Sequence, residues 1–260
     1  MKANALLIAG LTSCAALAVQ AADVCKAESG PRTAALVELY TSEGCSSCPP
    51  ADRALSELAG NTGAGELVPL ALHVSYWDGI GWKDQFAQKL FDGRQASLLA
   101  KGKNKLTYTP QFFANGREVR HWGDALTGIV PEINSMPAMA KITLQQQLAQ
   151  QDIFVVDVTA TTEKRAAKTA LFLAVAESRL ISRVHGGENS GVTLMHDDTA
   201  RLLLGPVALL NGKAQLHQDV VIPAGWNRQH LHAVAFVQDV EDGIVLQAVS
   251  TAHCKEGKRG

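Results

Sequence analysis

The spacing of apolar residues changes character twice along this 260-residue chain. After an N-terminal apolar stretch, Ala3 to Val19, the run Ala34 to Tyr40 reads as a buried strand. Beyond it, Ala51, Leu55 and Leu58 fall on one helical face, and Leu67 to Val74 predicts a second strand. Asp84 is expected to cap a helix carrying Phe86, Leu90, Leu98 and Leu99 inward. Gln111 to Ala114 opens a third strand, closed by an Asn115–Gly116 turn. A closing helix is expected across Asp124 to Asn134. Pro131 lies inside it, and because an interior proline costs about 3 kcal/mol this helix should be short, kinked or begin at the proline.

Past Met139 the period shortens to two. Phe154, Val156, Val158 and Ala160 share one strand face, and Leu171, Leu173 and Val175 share another. Leu231 to Val237 and Ile244 to Val249 flank an Asp242–Gly243 turn. The expected fold class is therefore an α/β thioredoxin-like domain over residues 30–135, followed by an all-β sandwich-like domain over 139–254. The boundary falls near Met136–Pro137.

Cysteine placement supplies the chemistry. Cys45 and Cys48 form a C-x-x-C pair between the first strand and the first helix, ahead of Pro49 and Pro50. A helix N-terminus stabilises a thiolate at Cys45, which can attack a disulfide, and Cys48, one turn on, can resolve the mixed disulfide. A zinc site would need two further ligands, and none is spaced for it, while a plain structural disulfide remains an alternative. Cys25 and Cys254 are then left to bridge the two ends, closing a loop worth up to about 5 kcal/mol. Resemblance to the strand-one acid of thioredoxins makes Glu38 a candidate base, although it lies seven residues before Cys45, one more than the usual spacing, and the alternative is a salt-bridged strand residue. In thioredoxin-like proteins a cis proline opens this strand beside the cysteines and docks a substrate chain; that resemblance implies the role for Thr109 and Pro110, the alternative being an ordinary trans proline. Trp77 and Trp82 are candidate substrate contacts, the alternative being aromatic caps on the core.

The N-terminus bears on the compartment. Lys2, the apolar stretch and Val19-Gln20-Ala21 read as a signal peptide over residues 1–21, with Leu11-Thr12-Ser13-Cys14 as a competing lipobox in which Cys14 would be lipidated. Nothing later approaches about 18 consecutive apolar residues, so no membrane span is expected after processing. The 24 basic and 25 acidic residues nearly balance and contain no Lys/Arg run, which argues against a nucleic-acid partner.

Blocks of the chain resemble a known family. Val37-Glu38-Leu39-Tyr40-Thr41-Ser42-Glu43-Gly44-Cys45-Ser46-Ser47-Cys48-Pro49-Pro50-Ala51-Asp52 is similar to the opening of the secreted bacterial family called domain of unknown function 1223. His73-Val74-Ser75-Tyr76-Trp77-Asp78, Gly81-Trp82-Lys83-Asp84, Tyr108-Thr109-Pro110-Gln111 and Gly187-Glu188-Asn189-Ser190-Gly191 match further blocks. The resemblance implies a thioredoxin-like fold and export, and leaves the activity unassigned.

These readings converge on a periplasmic or secreted thiol:disulfide oxidoreductase acting on protein thiols and disulfides, with no organic cofactor. The alternative is a copper- or ligand-binding exported protein on the same scaffold. Copper would be held by the soft thiolates of Cys45 and Cys48; His230 and His232, two apart on an expected strand, and Met136 and Met139 are further candidate ligands, the alternatives being a solvated edge and linker packing, and no dedicated metal site is expected. The loop Gly186 to Gly191 could bind a cation, a sugar or the neighbouring domain.

Overall fold

A computed structural model describes residues 24–149, 152–163 and 168–254. The expected signal peptide and the competing lipobox with Cys14 lie outside the described residues.

The first half folds in the order β1 (Val24–Glu28), β2 (Ala35–Thr41), α1 (Pro49–Asn61), β3 (Leu67–His73), α2 (Lys89–Lys101), β4 (Gln111–Ala114), β5 (Arg117–Val119) and α3 (Trp122–Ser135). Strands alone follow among the described residues: β6 (Lys141–Ala149), β7 (Ile153–Thr161), β8 (Thr169–Glu177), β9 (Leu180–Arg183), β10 (Thr193–His196), β11 (Thr199–Ala208), β12 (Lys213–Val221), β13 (Leu231–Asp239) and β14 (Val245–Ser250).

The expected division into a thioredoxin-like α/β domain and a following sandwich is corrected by the sheet topology. The protein is mostly β, and one eight-stranded mixed sheet, β14-β13-β8-β11-β3-β2-β4-β5, draws four strands from each half. β2 and β3 are parallel, while β4 and β5 run antiparallel to their neighbours. The seam is the parallel contact of β11 with β3 at Thr199 and Ala71, where the Ala71 N–H donates to the Asp198 carbonyl at 2.9 Å. An uncovered β3 edge would present unpaired backbone groups, and β11 closes it. Hydrophobic period reveals strands but not which distant edge each one joins.

Side chains on the two faces of this sheet define its layers. On one face α2 buries Phe91, Leu98 and Leu99 against Leu36, Tyr40, Leu70, Phe113 and Phe236. On the other, α1 and α3 pack Ala51, Leu55, Leu126 and Val130 on Val37, Leu39 and Phe112. Farther along that second face a four-stranded sheet, β1-β6-β7-β12, packs Leu144, Phe154, Val156 and Val158 against Leu171, Leu173, Val175 and Ala235. Each such buried aliphatic or aromatic side chain stabilises the fold by about 1.5–3 kcal/mol.

Two helix expectations shift. Asp84 caps no helix, because α2 starts at Lys89 after Gln88 in extended conformation. Phe86 is buried in the preceding loop, so the inward residues become Phe91, Gln95, Leu98 and Leu99, and Leu90 faces solvent. The four follow the i, i+4, i+7, i+8 pattern that a stripe displaced by one residue requires. Helix α3 is neither short nor started at Pro131 but runs fourteen residues through it. Pro131 sits on the exposed side, where the Thr127 carbonyl that loses its donor also lies in an exposed turn.

Cys25 and Cys254 are disulfide-bonded, with Cα atoms 5.9 Å apart, tying β1 to the segment after β14. No helix among the described residues is long and apolar enough to cross a membrane.

Candidate functional site

Strand β2 delivers the chain to the sheet end, where residues 42–48 turn into α1. Cys45 and Cys48 are disulfide-bonded across a Cα separation of 5.4 Å, and both are wholly buried. The turn is held by Cys45 N–H donating to the Ser42 carbonyl and Cys48 N–H to the Cys45 carbonyl, each at 3.2 Å. Cys48 is the N-cap of α1, with no side-chain cap, and Pro49 and Pro50 occupy the first helical positions. Prolines carry no N–H, so the helix offers Cys45 its dipole more than free donors. Ser47 Oγ lies 3.4 Å from Cys45 Sγ.

Trp77 and Trp82 both reach this turn, and Trp77 links it to Thr109. The Thr109–Pro110 peptide bond is cis. Trp77 Nε1 donates to Thr109 Oγ1 at 2.8 Å, and a Cβ at Gly44 would meet the Trp77 Cβ at 3.4 Å, so Trp77 spans from the cysteine turn to the proline. Trp82 is held at the same turn by another residue, its Nε1 donating to buried Glu43 Oε2 at 2.7 Å. Tyr76, Ile80, Leu106 and Tyr108 are exposed in the segments leading to Trp77 and Pro110.

A loop from the second half closes over the cysteines. Asn189 Nδ2 donates to the carbonyls of Glu43 at 2.8 Å and Cys45 at 2.9 Å. Glu188 Oε2 accepts from Ser46 N–H at 2.9 Å and Ser46 Oγ at 2.8 Å, which holds its carboxyl below the usual glutamate pKa. A Cβ at Gly186 would overlap the Gly81 carbonyl, and Gly187 adopts φ +66° against Trp82, so only glycines let the two segments approach. Of the roles open to Gly186–Gly191 in the sequence, contact with the other half is the one observed.

Glu38 is not brought to the cysteines. It shares a β2 face with Leu36 and Tyr40, toward α2, whereas Val37 and Leu39 face α1. There Arg94 holds its carboxylate through two bonds, Nε to Oε1 at 2.6 Å and Nη2 to Oε2 at 3.0 Å, and Tyr40 OH donates at 3.3 Å. Arg94 also lies over the rings of Phe172 and Phe236. Burial and the Glu38 charge push the Tyr40 pKa well up.

The carboxylates nearer the disulfide in sequence are Glu43 and Asp52. Glu43 N–H donates to Asp84 Oδ2 at 2.9 Å, and the same oxygen lies 2.6 Å from His73 Nδ1. His196 from β10 stacks edge-on to His73 with centroids 4.8 Å apart. Its Nε2 is 3.4 Å from Glu43 Oε1 and its Nδ1 is 3.9 Å from Asp52 Oδ2. Burial works against protonation of His73, but the Asp84 carboxylate outweighs it and the His73 pKa rises. Burial likewise opposes ionisation of Asp84, and His73 overcomes it, so the Asp84 pKa falls. Asp52 moves the other way: burial raises its pKa, with His196 and His73 opposing. The available sequence signal was Asp52, a carboxylate one residue past the inward-facing Ala51 in the first turn of α1.

The metal-ligand candidates do not assemble. His230 precedes β13 in a turn, His232 Nε2 lies 3.2 Å from Asp198 Oδ1, and Met136 and Met139 are exposed. Among the described residues no group of three or more His, Cys, Asp or Glu could hold a metal ion.

Residues 36–238 match the family described as "Protein of unknown function (DUF1223)". The chain belongs to this family. The DUF1223 span contains Cys45–Cys48, Thr109–Pro110, the Gly186–Gly191 loop and His196, and leaves Cys25 and Cys254 outside it. An X-ray structure of an Agrobacterium tumefaciens protein is similar at TM-score 0.58 and 21% identity, covering 85% of this chain and 95% of that one. HBP35 of Porphyromonas gingivalis is similar at TM-score 0.65 and 15% identity, covering 86% and 76%. Both likenesses concern fold alone. No curated protein matches the chain.

Proposed function

We propose that this DUF1223 protein is an exported thiol:disulfide exchange protein. Cys45 is the sulfur attacked by a partner, Cys48 is the leaving and resolving sulfur, and Thr109–Pro110 with Trp77 docks the partner chain. The observation that carries the reading is the bonded Cys45–Cys48 pair, three residues apart at the start of α1, beside Trp77 and Thr109. Two disulfides in one chain fit an oxidising compartment. The exposed Tyr76, Ile80, Leu106 and Tyr108 supply apolar surface for a polypeptide to lie on.

One observation favours a second reading, a ligand-binding protein whose short disulfide only staples the turn: Cys45 and Cys48 are both wholly buried. Exchange then requires the Gly186–Gly191 loop to move. Equilibration in glutathione buffers with alkylation of the Cys45 and Cys48 thiols separates the two. A potential between about −120 and −270 mV is expected for exchange, whereas a bond still oxidised well below about −300 mV supports the staple.

A further inference from the structure

Behind the disulfide lies a constellation that a mere staple does not require. Glu43 precedes Cys45 by two residues, Asp52 follows Cys48 by four, and the His196 ring stands between their carboxylates. Cys48 is already helical in φ and ψ, and the Asp52 N–H donates to its carbonyl at 3.0 Å. Residues so related share a helix face with Cβ atoms about 5–6 Å apart, within reach of a carboxylate.

The polar atoms of this group are left unusually bare. Both nitrogens of His196, Glu43 Oε1 and Asp52 Oδ1 are buried and have no hydrogen-bond partner among the described residues. Buried polar atoms are ordinarily satisfied, and each one that is not costs stability. The groups facing Asp52 are His196 from β10, His73 from β3, Thr41 at the end of β2 and Asp84 from the loop after β3, with Glu43 at the other nitrogen of the His196 ring. His73 and Asp84 are locked together at 2.6 Å, and Glu43 is held through its other oxygen by Trp82 Nε1 at 2.7 Å. Asp52 and His196 are therefore the loosely bonded members of an acid–imidazole–acid set whose two acids flank the cysteine pair in the chain.

Resting on the exchange reading above, we infer that Asp52 is the proton donor and acceptor for Cys48, with His196 and Glu43 as positioning residues that hold its carboxyl. In the oxidising direction a partner thiolate attacks Cys45 Sγ and the Cys45–Cys48 bond breaks. Cys48 leaves with the electron pair as a thiolate and takes the Asp52 proton. A second partner thiolate attacks the partner sulfur of the mixed disulfide, the partner disulfide forms, and Cys45 departs as a thiolate. The partner dithiol has lost two electrons and the protein pair has gained them. In reverse, the Asp52 carboxylate takes the Cys48 proton, and the Cys48 thiolate then attacks Cys45 in the mixed disulfide. The upward push of burial on Asp52 is in the direction such a proton donor needs.

The test titrates Cys48 as the lone thiol in full-length Cys14→Ser, Cys45→Ser, with Cys25–Cys254 left bonded, by thiolate absorbance, with and without Asp52→Asn. Interacting acids titrate in coupled steps, and a neighbouring carboxylate raises a thiol pKa. With Asp52 present, two coupled steps are expected. With Asp52→Asn, one step is expected, its midpoint lower by about one pH unit, a roughly tenfold rise in thiolate fraction below it. Identical curves in the two backgrounds overturn the inference. Should Cys45→Ser fail to fold, the reduced wild-type dithiol and its Asp52→Asn variant give the same comparison. The readout needs no exchange partner, so the glutathione experiment can sink the exchange reading while this one independently decides the coupling.

Discussion

Asn189 bonds the carbonyl oxygen of Cys45 across 144 residues of sequence, and with the same amide nitrogen bonds the carbonyl of Glu43. The turn that carries the disulfide is thus held by the second half of the chain.

Removing that bracket should expose the sulfurs. Asn189→Ala takes the amide donor from two buried carbonyls, of which that of Cys45 keeps the Cys48 N–H, at about 1–3 kcal/mol, and Glu188→Gln weakens the charge-assisted bonds to Ser46. Both variants are expected to be reduced by dithiothreitol faster than wild type, Asn189→Ala by about tenfold or more if its cost falls wholly on the closed loop. The rate of thiol appearance checks this, and unchanged rates would mean that the loop does not control access.

The His73–Asp84 pair makes stability depend on pH from two sides. His73 has a raised pKa, so its contribution is complete below the unfolded value of 6.5 and is lost as pH climbs through the folded value. Asp84 has a lowered pKa, so its contribution is present above 3.8 and is lost as pH falls through the folded value. Urea midpoints measured across pH should therefore fall off on both sides of a plateau between those limits. Asp84→Asn breaks a buried pair and should destabilise by about 3–5 kcal/mol at pH 6. Asp52→Asn should do the opposite or nothing: a raised carboxyl pKa means that its ionised form destabilises the fold above 3.8.

Glu38 and Arg94 are expected to act on stability alone. Arg94→Ala leaves the Glu38 carboxylate buried beside Tyr40 without its cation, a loss of about 3–5 kcal/mol in urea unfolding. Glu38→Gln should likewise lower the urea midpoint yet leave the Cys48 titration where it was, because Glu38 faces α2 and not α1. A shifted Cys48 titration in Glu38→Gln would restore Glu38 as a candidate base.

What the sequence made legible was local. The C-x-x-C at a strand–helix turn, the run that became β2 and the alternation that became β7 and β8 are encoded by neighbours within a dozen residues. The joining of β11 to β3 is not, because Thr199 meets Ala71 through backbone groups that every residue type carries. Glu38 illustrates the same limit at the site: likeness to the strand-one acid of thioredoxins made it a candidate, but strand period two sends alternate residues to opposite faces. His196 carried no signal, since its relation to Asp52 exists only once β10 packs on α1.

The Cys25–Cys254 bond encloses 229 residues of separation, and in the chain-entropy model so long a loop stabilises by up to about 5 kcal/mol. It lies outside the span that matches DUF1223, ties β1 to the chain after β14, and touches none of the site residues. Cys25→Ser with Cys254→Ser should therefore lower the thermal midpoint while leaving the Cys45–Cys48 reduction potential within error of wild type. Calorimetry and glutathione titration of the double variant check the two halves of this statement separately. A potential that moved with the loss of this bond would mean that the end-to-end tie reaches the site through β14 and β13, the strands that lie beside β8 in the shared sheet.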